Sequence, residues 1–350
     1  MSDRPTVVKL GGDALASPER IAAQARHLAC RAAGGPVVAV ASARRGVTDH
    51  LLRLTVEVAA ASRPATEATD ADAARGSRAE ADRAVAAGEV VAASLLALAL
   101  NQLGVPAMSL DAREAGVLSI GKFGKARIKS VTPRRIRRLL DSGVVPVVTG
   151  FQGWQRGRVA TLGRGGTDTS AVALGCALHA QRVVFVKEAH GLRTADPRLV
   201  PDAAVIAEAP HGFLAALAAE GSKVVQLEAA LLAERHGLPL EFWSLEGAAA
   251  QTLVHAGADG TGLRAVATAT PAAGEPGKVT VIGGNPAEAA HAVDQLRAAL
   301  TQSGITPSDI QPAPNGVRFV LPAAQLVAAT QALHRVFVIE APRAPALRAS

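Results

Sequence analysis

The sequence predicts an α/β protein, with a mainly parallel central sheet in a large first domain and a smaller ferredoxin-like domain of order βαββαβ behind it. Three observations predict it. Short, Val-rich apolar runs recur between Thr6 and Trp243 with helical patterns between them, and such runs without polar alternation suit strands buried on both faces of a parallel sheet. An Ala-, Gly- and Thr-rich stretch at 248–277 interrupts them, and a strand, helix, strand, strand, helix, strand order follows. The chain has 350 residues, 49% apolar and 19% charged, which is ample for two cores.

Thr6–Leu10 (TVVKL) ends at Gly11-Gly12, and Ser17-Pro18 caps and opens a helix that Gly34-Gly35 closes. Residues 36–41 (PVVAVA) supply the next strand and complete a βαβ unit. A helix starts near Asp49, with Thr48 as a possible N-cap. Residues 59–84 lack an apolar stripe and read as exposed helix and loop, and Glu89 opens a very apolar helix. Strands follow at 144–149, 182–187 and 239–243, separated by helices at 133–141, 168–180 and 224–236. In the second domain the strands are 278–283, a short one near Ile310, 317–321 and 336–340, with helices at 286–303 and 323–334. The domains are therefore drawn as 1–247, a linker at 248–277, 278–342, and a tail at 343–350.

The charge balance, 37 Lys and Arg against 30 Asp and Glu, gives +7. Aromatics are only 3% and Tyr is absent, which argues against a single-strand nucleic-acid binder that stacks bases. Arg134, Arg135, Arg137 and Arg138 lie on one helix and read as a solvated face. The longest apolar run, 90–100, is short of the roughly 20 residues of a membrane span. The N-terminus reads as a strand without a signal peptide. Cys30 and Cys176 read as buried small hydrophobes, and the expected location is cytoplasmic.

Three loops could carry chemistry. Lys9 with Gly11 and Gly12 ends the first strand, where ligands of open α/β sheets bind and where glycines let backbone approach an anion. Residues 161–168 (TLGRGGTD) offer Arg164 between glycines, the Thr167 hydroxyl, and Asp168 at a helix start, where it is either a cap or a working carboxylate. The sixth position is Asp168, so no G-x-G-x-x-G fingerprint exists, and there is no Walker A run. Residues 42–48 (SARRGVT) place Ser42, Thr48 and two arginines before another helix.

These segments bring a resemblance into view. VVKLGG, VAVASARRGVTDHLL, GEVVAASLLA, GVLSIGKFGKARI, GFQGWQRGRVATLGRGGTDTSAVALGCAL and GLRTADPRLVPDA resemble aspartate kinases of the amino acid kinase family, in that family's order, over residues 5–245. The C-terminal βαββαβ order is similar to an ACT regulatory unit. The resemblance implies an amino acid kinase-like sandwich and ATP-dependent phosphorylation of the L-aspartate side-chain carboxylate, with Mg²⁺ carried mainly by the nucleotide phosphates. It implies that Lys9 contacts the transferred phosphoryl group and that Asp168 orients the lysines around it. It places Ser42, Thr48, Glu89, Arg164 and Thr167 around the amino acid, Arg164 on its α-carboxylate and Glu89 on its α-ammonium side. It places Lys9, Gly11, Gly12, Lys187, Glu188, Arg193, Arg198 and Lys223 around ATP. It also implies a homodimer or higher homo-oligomer through the ACT-like unit, with no membrane or nucleic-acid partner.

The departures concentrate on the phosphate side. Asp13-Ala14 stand where the family usually has Thr-Ser, Arg44-Arg45 stand for Met-Gly, and residues 187–194 (KEAHGLRT) replace its usual nucleotide segment. Asp13 would repel phosphate, and Arg44 and Arg45 would offset it or bind phosphate directly. His190 and Arg193 would alter the adenine surroundings. A single ACT-like unit replaces the usual pair, and its first loop (GGNPAE) lacks the Asp-x-Pro-Gly pattern. Two alternatives follow: a paralogue acting on another amino-acid carboxylate, and a non-catalytic subunit with an altered nucleotide site.

Overall fold

A computed structural model of the chain describes residues 4–62, 71–188, 191–246, 250–258, 260, 262–269, 271, 275–283 and 292–340. The chain forms two compact units, Met1–Ala189 with Leu238–Ala250, and His190–Gly237 with Gln251–Ser350. This division differs from the sequence-drawn boundaries, because residues 190–237 cluster with the C-terminal part. The expected tail at 343–350, His190 and the 283–288 loop beyond Gly283 lie outside the described residues.

In the first unit β1 (Thr6–Leu10) leads through α1 (Pro18–Gly34) to β2 (Val37–Ala41), α2 (Val47–Ala61) and the long α3 (Ala71–Gln102). Then come β3 (Ala107–Leu110), β4 (Val117–Lys122), β5 (Lys125–Val131), α4 (Arg134–Asp141), β6 (Val145–Thr149), β7 (Gln152–Gln155), β8 (Arg158–Thr161), α5 (Gly166–Leu178) and β9 (Arg182–Lys187). The strand Leu240–Ser244, numbered β13 below, returns to this unit beside β9, giving the parallel order β13-β9-β1-β2-β6-β3. The chain moves to one side of β1 through β2 and later to the other side through β9. The carboxyl ends of β1 and β9 therefore flank a topological switch point, where open α/β sheets bind ligands.

Strand alternation sorts the side chains. Val8, Leu10, Val184 and Val186 pack with Ile21, Ala25 and Leu28 of α1 and Ala92, Ala93 and Leu96 of α3 in one core. Their neighbours Val7, Lys9, Val183, Phe185 and Lys187 therefore point to the opposite face, which α5 covers. Ser17 caps α1 as expected, accepting the Arg20 amide at 3.3 Å. On α1 the core-facing residues are Ile21, Gln24, Ala25 and Leu28, and Cys30 falls outside that stripe. Cys30 is exposed, which corrects the expectation of burial, while Cys176 is half-buried; both are free thiols.

The second sheet, β5-β4-β7-β8, is absent from the sequence reading. It packs on α3, whose N-terminal half carries the buried Ala79, Asp82, Val85 and Ala86. Thus residues 71–102 are one helix rather than a loop followed by an apolar helix, and Glu89 lies within it instead of at its start. Its stretch Gly76–Gln102 is long and apolar enough to cross a membrane, yet half of its most apolar window is buried. The helix at 47 is entered through Gly46 in a left-handed conformation, so Thr48 is inside α2 and is not its N-cap.

The second unit contains β10 (Leu192–Arg193), β11 (Val205–Ile206), β12 (Glu208–Ala209), α6 (His211–Ala219) and α7 (Leu227–His236). After β13 follow β14 (Ala250–Val254), β15 (Arg264–Ala269), β16 (Gly277–Gly283), α8 (Val293–Gln302), β17 (Asp309–Ala313), β18 (Gly316–Leu321) and α9 (Leu326–His334). The supposed linker at 248–277 thus carries two strands. The antiparallel order β15-β16-β18-β17 is a ferredoxin-like sheet in which β15, from before the unit, fills the edge expected of residues 336–340. Those residues form a π-helical turn instead, with Phe337 buried against the sheet core. An apolar run such as VFVI does not distinguish strand from buried helix, and the edge beside β16 is already occupied.

Candidate active site

At the switch point three charged side chains meet, two of them buried and the third, Lys187, half-buried. Lys9 Nζ lies 2.8 Å from Asp168 Oδ1, and Lys187 Nζ lies 3.7 Å from Asp168 Oδ2. Lys9 and Asp168 are 7% and 6% exposed, so this pair sits in a medium where electrostatic forces are strong. The meeting is a consequence of register. Lys9 and Lys187 occupy neighbouring parallel strands on the α5 face, and Asp168 lies in the first turn of α5, where the helix dipole favours an anion. The N-cap of α5 is Gly165 at φ 75°, a left-handed conformation that glycine adopts freely, so Asp168 lies inside the first turn and not at the cap position. Its carboxylate is engaged by the two lysines. Burial, with Lys9 beside it, lowers Lys187 to about 8, against the pull of Asp168.

Gly12 lets two loops interlock next to this trio. A Cβ there would lie 3.0 Å from the Ala43 carbonyl and 3.2 Å from the Arg45 amide. The Arg45 amide donates to the Gly12 carbonyl at 3.1 Å, and Ser42 donates its amide to Leu10 at 3.0 Å. Gly11 is at the same place, since a Cβ on it would be 3.6 Å from Lys9 Nζ.

Glu89 is 2% exposed and reaches the same loop, where the Ala43 amide donates to its Oε1 at 3.1 Å. Its Oε2 has no hydrogen-bond partner among the described residues. Burial pushes its carboxyl up to about 7, with the Ala43 bond opposing. Thr167 is buried against Gly150, and Arg164 is exposed between the left-handed Gly163 and Gly165. The structure thus brings Glu89 to the loop of Ser42 and Thr48, and brings Lys9, Asp168 and Lys187 together.

Several other cations have local partners. Arg45 pairs with Asp13 and, at 2.9 Å, with Glu188 Oε2. Arg20 lies 3.9 Å from Glu188 Oε1 and donates to the Asp13 carbonyl at 2.8 Å. Arg44 donates to the Ala16 carbonyl at 2.8 Å. In the second unit Arg193 donates to the Ala203 carbonyl at 2.6 Å. Arg198 grips Asp196 through two nitrogens, at 2.6 and 3.0 Å, and holds its carboxyl below the usual range, with exposed Lys223 contributing. On the helix with four arginines, Arg135 pairs with Glu114 and Arg137 donates to the Ala177 carbonyl.

Asp82 is a site-shaping residue that sequence reading misses. It is 5% exposed and its Oδ2 accepts the amides of Gly124 at 2.9 Å and Thr161 at 2.7 Å. It thereby ties the β4–β5 turn and the end of β8 to α3, directly before the Arg164 loop. Its spacing from Glu89, seven residues or about two helical turns, puts both carboxylates on one face and was the available signal.

Comparison with known proteins bears on the family and the fold. The amino acid kinase family profile matches residues 4–242. An aspartokinase of Corynebacterium glutamicum is 37% identical over 290 residues, covering 81% of this chain and 66% of that protein. One of Mycolicibacterium smegmatis is 36% identical over 237 residues, covering 67% of this chain and 53% of that protein. The chain thus spans between about half and two thirds of these relatives' length. Escherichia coli aspartokinase III in complex with aspartate and ADP superposes with a TM-score of 0.66 at 23% identity, over 92% of this chain and 79% of that one. Clostridium acetobutylicum aspartate kinase gives 0.67 at 16% identity, over 95% and 99%. With its matched residues, its parallel sheet and its lysine–aspartate–lysine centre at the switch point, the chain belongs to the amino acid kinase family.

Proposed function

We propose that this protein phosphorylates the side-chain carboxylate of L-aspartate at the expense of ATP. The observation that carries the proposal is the meeting of the buried Lys9 and the half-buried Lys187 on Asp168, with a buried carboxylate, Glu89 of α3, bonded to the neighbouring 42–48 loop. A side-chain carboxylate has a pKa of about 3.9, so the nucleophile is already ionised near neutrality and no general base is required. One carboxylate oxygen bonds to the γ-phosphorus as the bond from that phosphorus to its bridging oxygen breaks, and ADP departs with the electron pair. The protein's task is to position two anions and to stabilise charge on the transferred group. Lys9 and Lys187 face that group, Asp168 orients their ammonium groups, and the α5 N-terminus adds backbone N–H donors. Glu89 receives the α-ammonium of the acceptor and Arg164 its α-carboxylate, with Ser42, Thr48 and Thr167 lining the same loops.

Arg193, Arg198 and Lys223 are assigned to the nucleotide by resemblance alone. Mg²⁺ neutralises polyphosphate charge when bound. Among the described residues no three His, Cys, Asp or Glu side chains cluster to cage a metal, and Asp168 is engaged by lysines. That donor set fits an ion carried on the nucleotide's own phosphates. A cytoplasmic location and a homo-oligomer through the ACT-like sheet belong to the same proposal.

A second reading, a non-catalytic relative, is favoured by one observation: Arg45 on the phosphate side is occupied by Asp13 and Glu188. Purified protein with Mg-ATP, L-aspartate and hydroxylamine separates the two, because an acyl phosphate is trapped as the hydroxamate. Aspartyl hydroxamate is expected. Product with a different amino acid only would replace aspartate as acceptor, and no product with any acceptor would establish the non-catalytic reading.

A further inference from the structure

We propose that Arg45 is a polyphosphate-binding residue, held in reserve by Asp13 and Glu188 and released by the arriving anion. The inference rests on the reading above, in which the Gly11-Gly12 loop faces the nucleotide phosphates. Its basis is the position and chemistry of four charges from four separate segments. Asp13 follows the glycine pair, Arg45 leads into α2, Glu188 follows β9 and Arg20 lies on α1. Arg45 bridges Asp13 and Glu188, and Arg20 reaches Glu188 and the Asp13 carbonyl. The formal charges of this ring cancel. Beside it, Lys9, Asp168 and Lys187 leave one positive charge to meet a polyphosphate.

The ring stands against the same glycines as the lysine–aspartate–lysine trio. The Arg45 amide is bonded to Gly12, Gly11 borders Lys9 Nζ, and Glu188 is next in sequence to Lys187. Its members are accessible: the Arg45, Glu188, Arg20 and Asp13 side chains are 57%, 56%, 43% and 40% exposed. Ion pairs this exposed hold their geometry weakly, so they can exchange partners at little cost. An arriving polyphosphate repels both carboxylates and attracts both arginines. A guanidinium fork fits phosphate oxygens as well as it fits carboxylates. Arg45 would then supply a cation that offsets the carboxylate introduced at position 13.

A static strap that only ties the loops together makes a different forecast. If Arg45 binds phosphate, its removal and the removal of its competitors act in opposite directions. If the ring is a strap, both act in the same direction. The experiment measures KM for ATP and calorimetric binding of Mg-ADP for the full chain and for Arg45→Ala, Arg45→Lys and the double variant Asp13→Asn/Glu188→Gln, with melting temperatures as a folding check. Arg45→Ala is expected to weaken both by about ten-fold, the scale of one charge-assisted hydrogen bond, and the double variant to tighten both. Arg45→Lys should fall between wild type and Arg45→Ala. Equal constants for wild type and Arg45→Ala, or a double variant that also weakens binding, would overturn the proposal. Should the wild-type protein yield no hydroxamate, the proposed function fails by itself. Mg-ADP binding then decides Arg45: opposite shifts support its role, and absence of binding to the wild type rejects it.

Discussion

Replacing Glu89 by glutamine separates what this carboxyl costs the fold from what it does in the site. Burial raises it from the usual 4.5 to about 7. At 1.36 kcal/mol per unit, holding the ionised form in this place costs the folded state about 3 kcal/mol. The folded pKa lies above the unfolded one, so between about pH 4.5 and 7 the folded state holds more protons than the unfolded state. Stability contributed by this group is therefore complete below that window and is lost as pH rises through it. Glutamine keeps an acceptor for the Ala43 amide and carries no charge. The variant should lack the fall across the window and should exceed wild type by about 1–3 kcal/mol at about pH 8. In the same variant kcat/KM for the amino acid should drop and lose its acid limb. In wild type only about a tenth of the carboxyl is ionised one unit below its pKa, so the rate there falls by about that factor. Urea denaturation across the window and initial-rate kinetics measure the two effects. A glutamine variant less stable than wild type above the window, or one with an unchanged acid limb, would refute the reasoning.

Other expectations follow from the same contacts. Lys187 is charged only below about 8, so kcat/KM for ATP should decline above that pH, and Lys187→Arg, which stays charged, should remove the alkaline limb from the rate profile. Asp82→Ala leaves two amides without their acceptor and should cost about 3 kcal/mol in urea denaturation, with a raised KM for the amino acid as the Arg164 loop loosens. Asp82→Asn should recover much of the stability. In the second unit Glu220 is 5% exposed and receives Arg318, at 2.9 Å from Nε, and Thr280 at 2.7 Å. Arg318→Met should cost about 3 kcal/mol, and adding Glu220→Gln should restore part of it, measured by the same denaturation.

What the sequence discloses depends on how each segment is buried. β1, β2, β6, β9 and β13 are legible because both faces are covered and their apolar runs are continuous. β4, with alternating burial and three exposed residues at its end, carries no such run, and its turn at Gly124 is a short-range signal only. The front of α3 hides for another reason: it packs through Ala79, Val85 and Ala86, whose small contacts make no strong stripe. For the site, Lys9 and Asp168 are readable as a strand-end lysine and a helix-start carboxylate. Their pairing is not, because it depends on which face of β1 meets α5, and a strand apolar on both sides does not announce its faces. The competition for Arg45 by Glu188 joins residues far apart in sequence and becomes visible only when β9 lies beside β1.

The two most stressed groups of the site have opposite signs, and under the proposed function each would be relieved by one substrate. Lys187 is destabilised as an ammonium by burial and by Lys9, and a polyphosphate would restore its preference for the charged form. Glu89 is destabilised as a carboxylate, with one oxygen unpaired among the described residues, and an α-ammonium would do the same for it. Binding is therefore linked to protons in opposite directions. Near neutral pH each group is partly uncharged before its ligand arrives, so nucleotide should take up a fraction of a proton and the amino acid should release a fraction. Calorimetry in two buffers of different ionisation enthalpy reads both signs directly. Uptake with Mg-ADP that disappears in Lys187→Arg, and release with L-aspartate that disappears in Glu89→Gln, would assign each proton to its residue. Equal signs for the two ligands would mean that they do not meet these two groups.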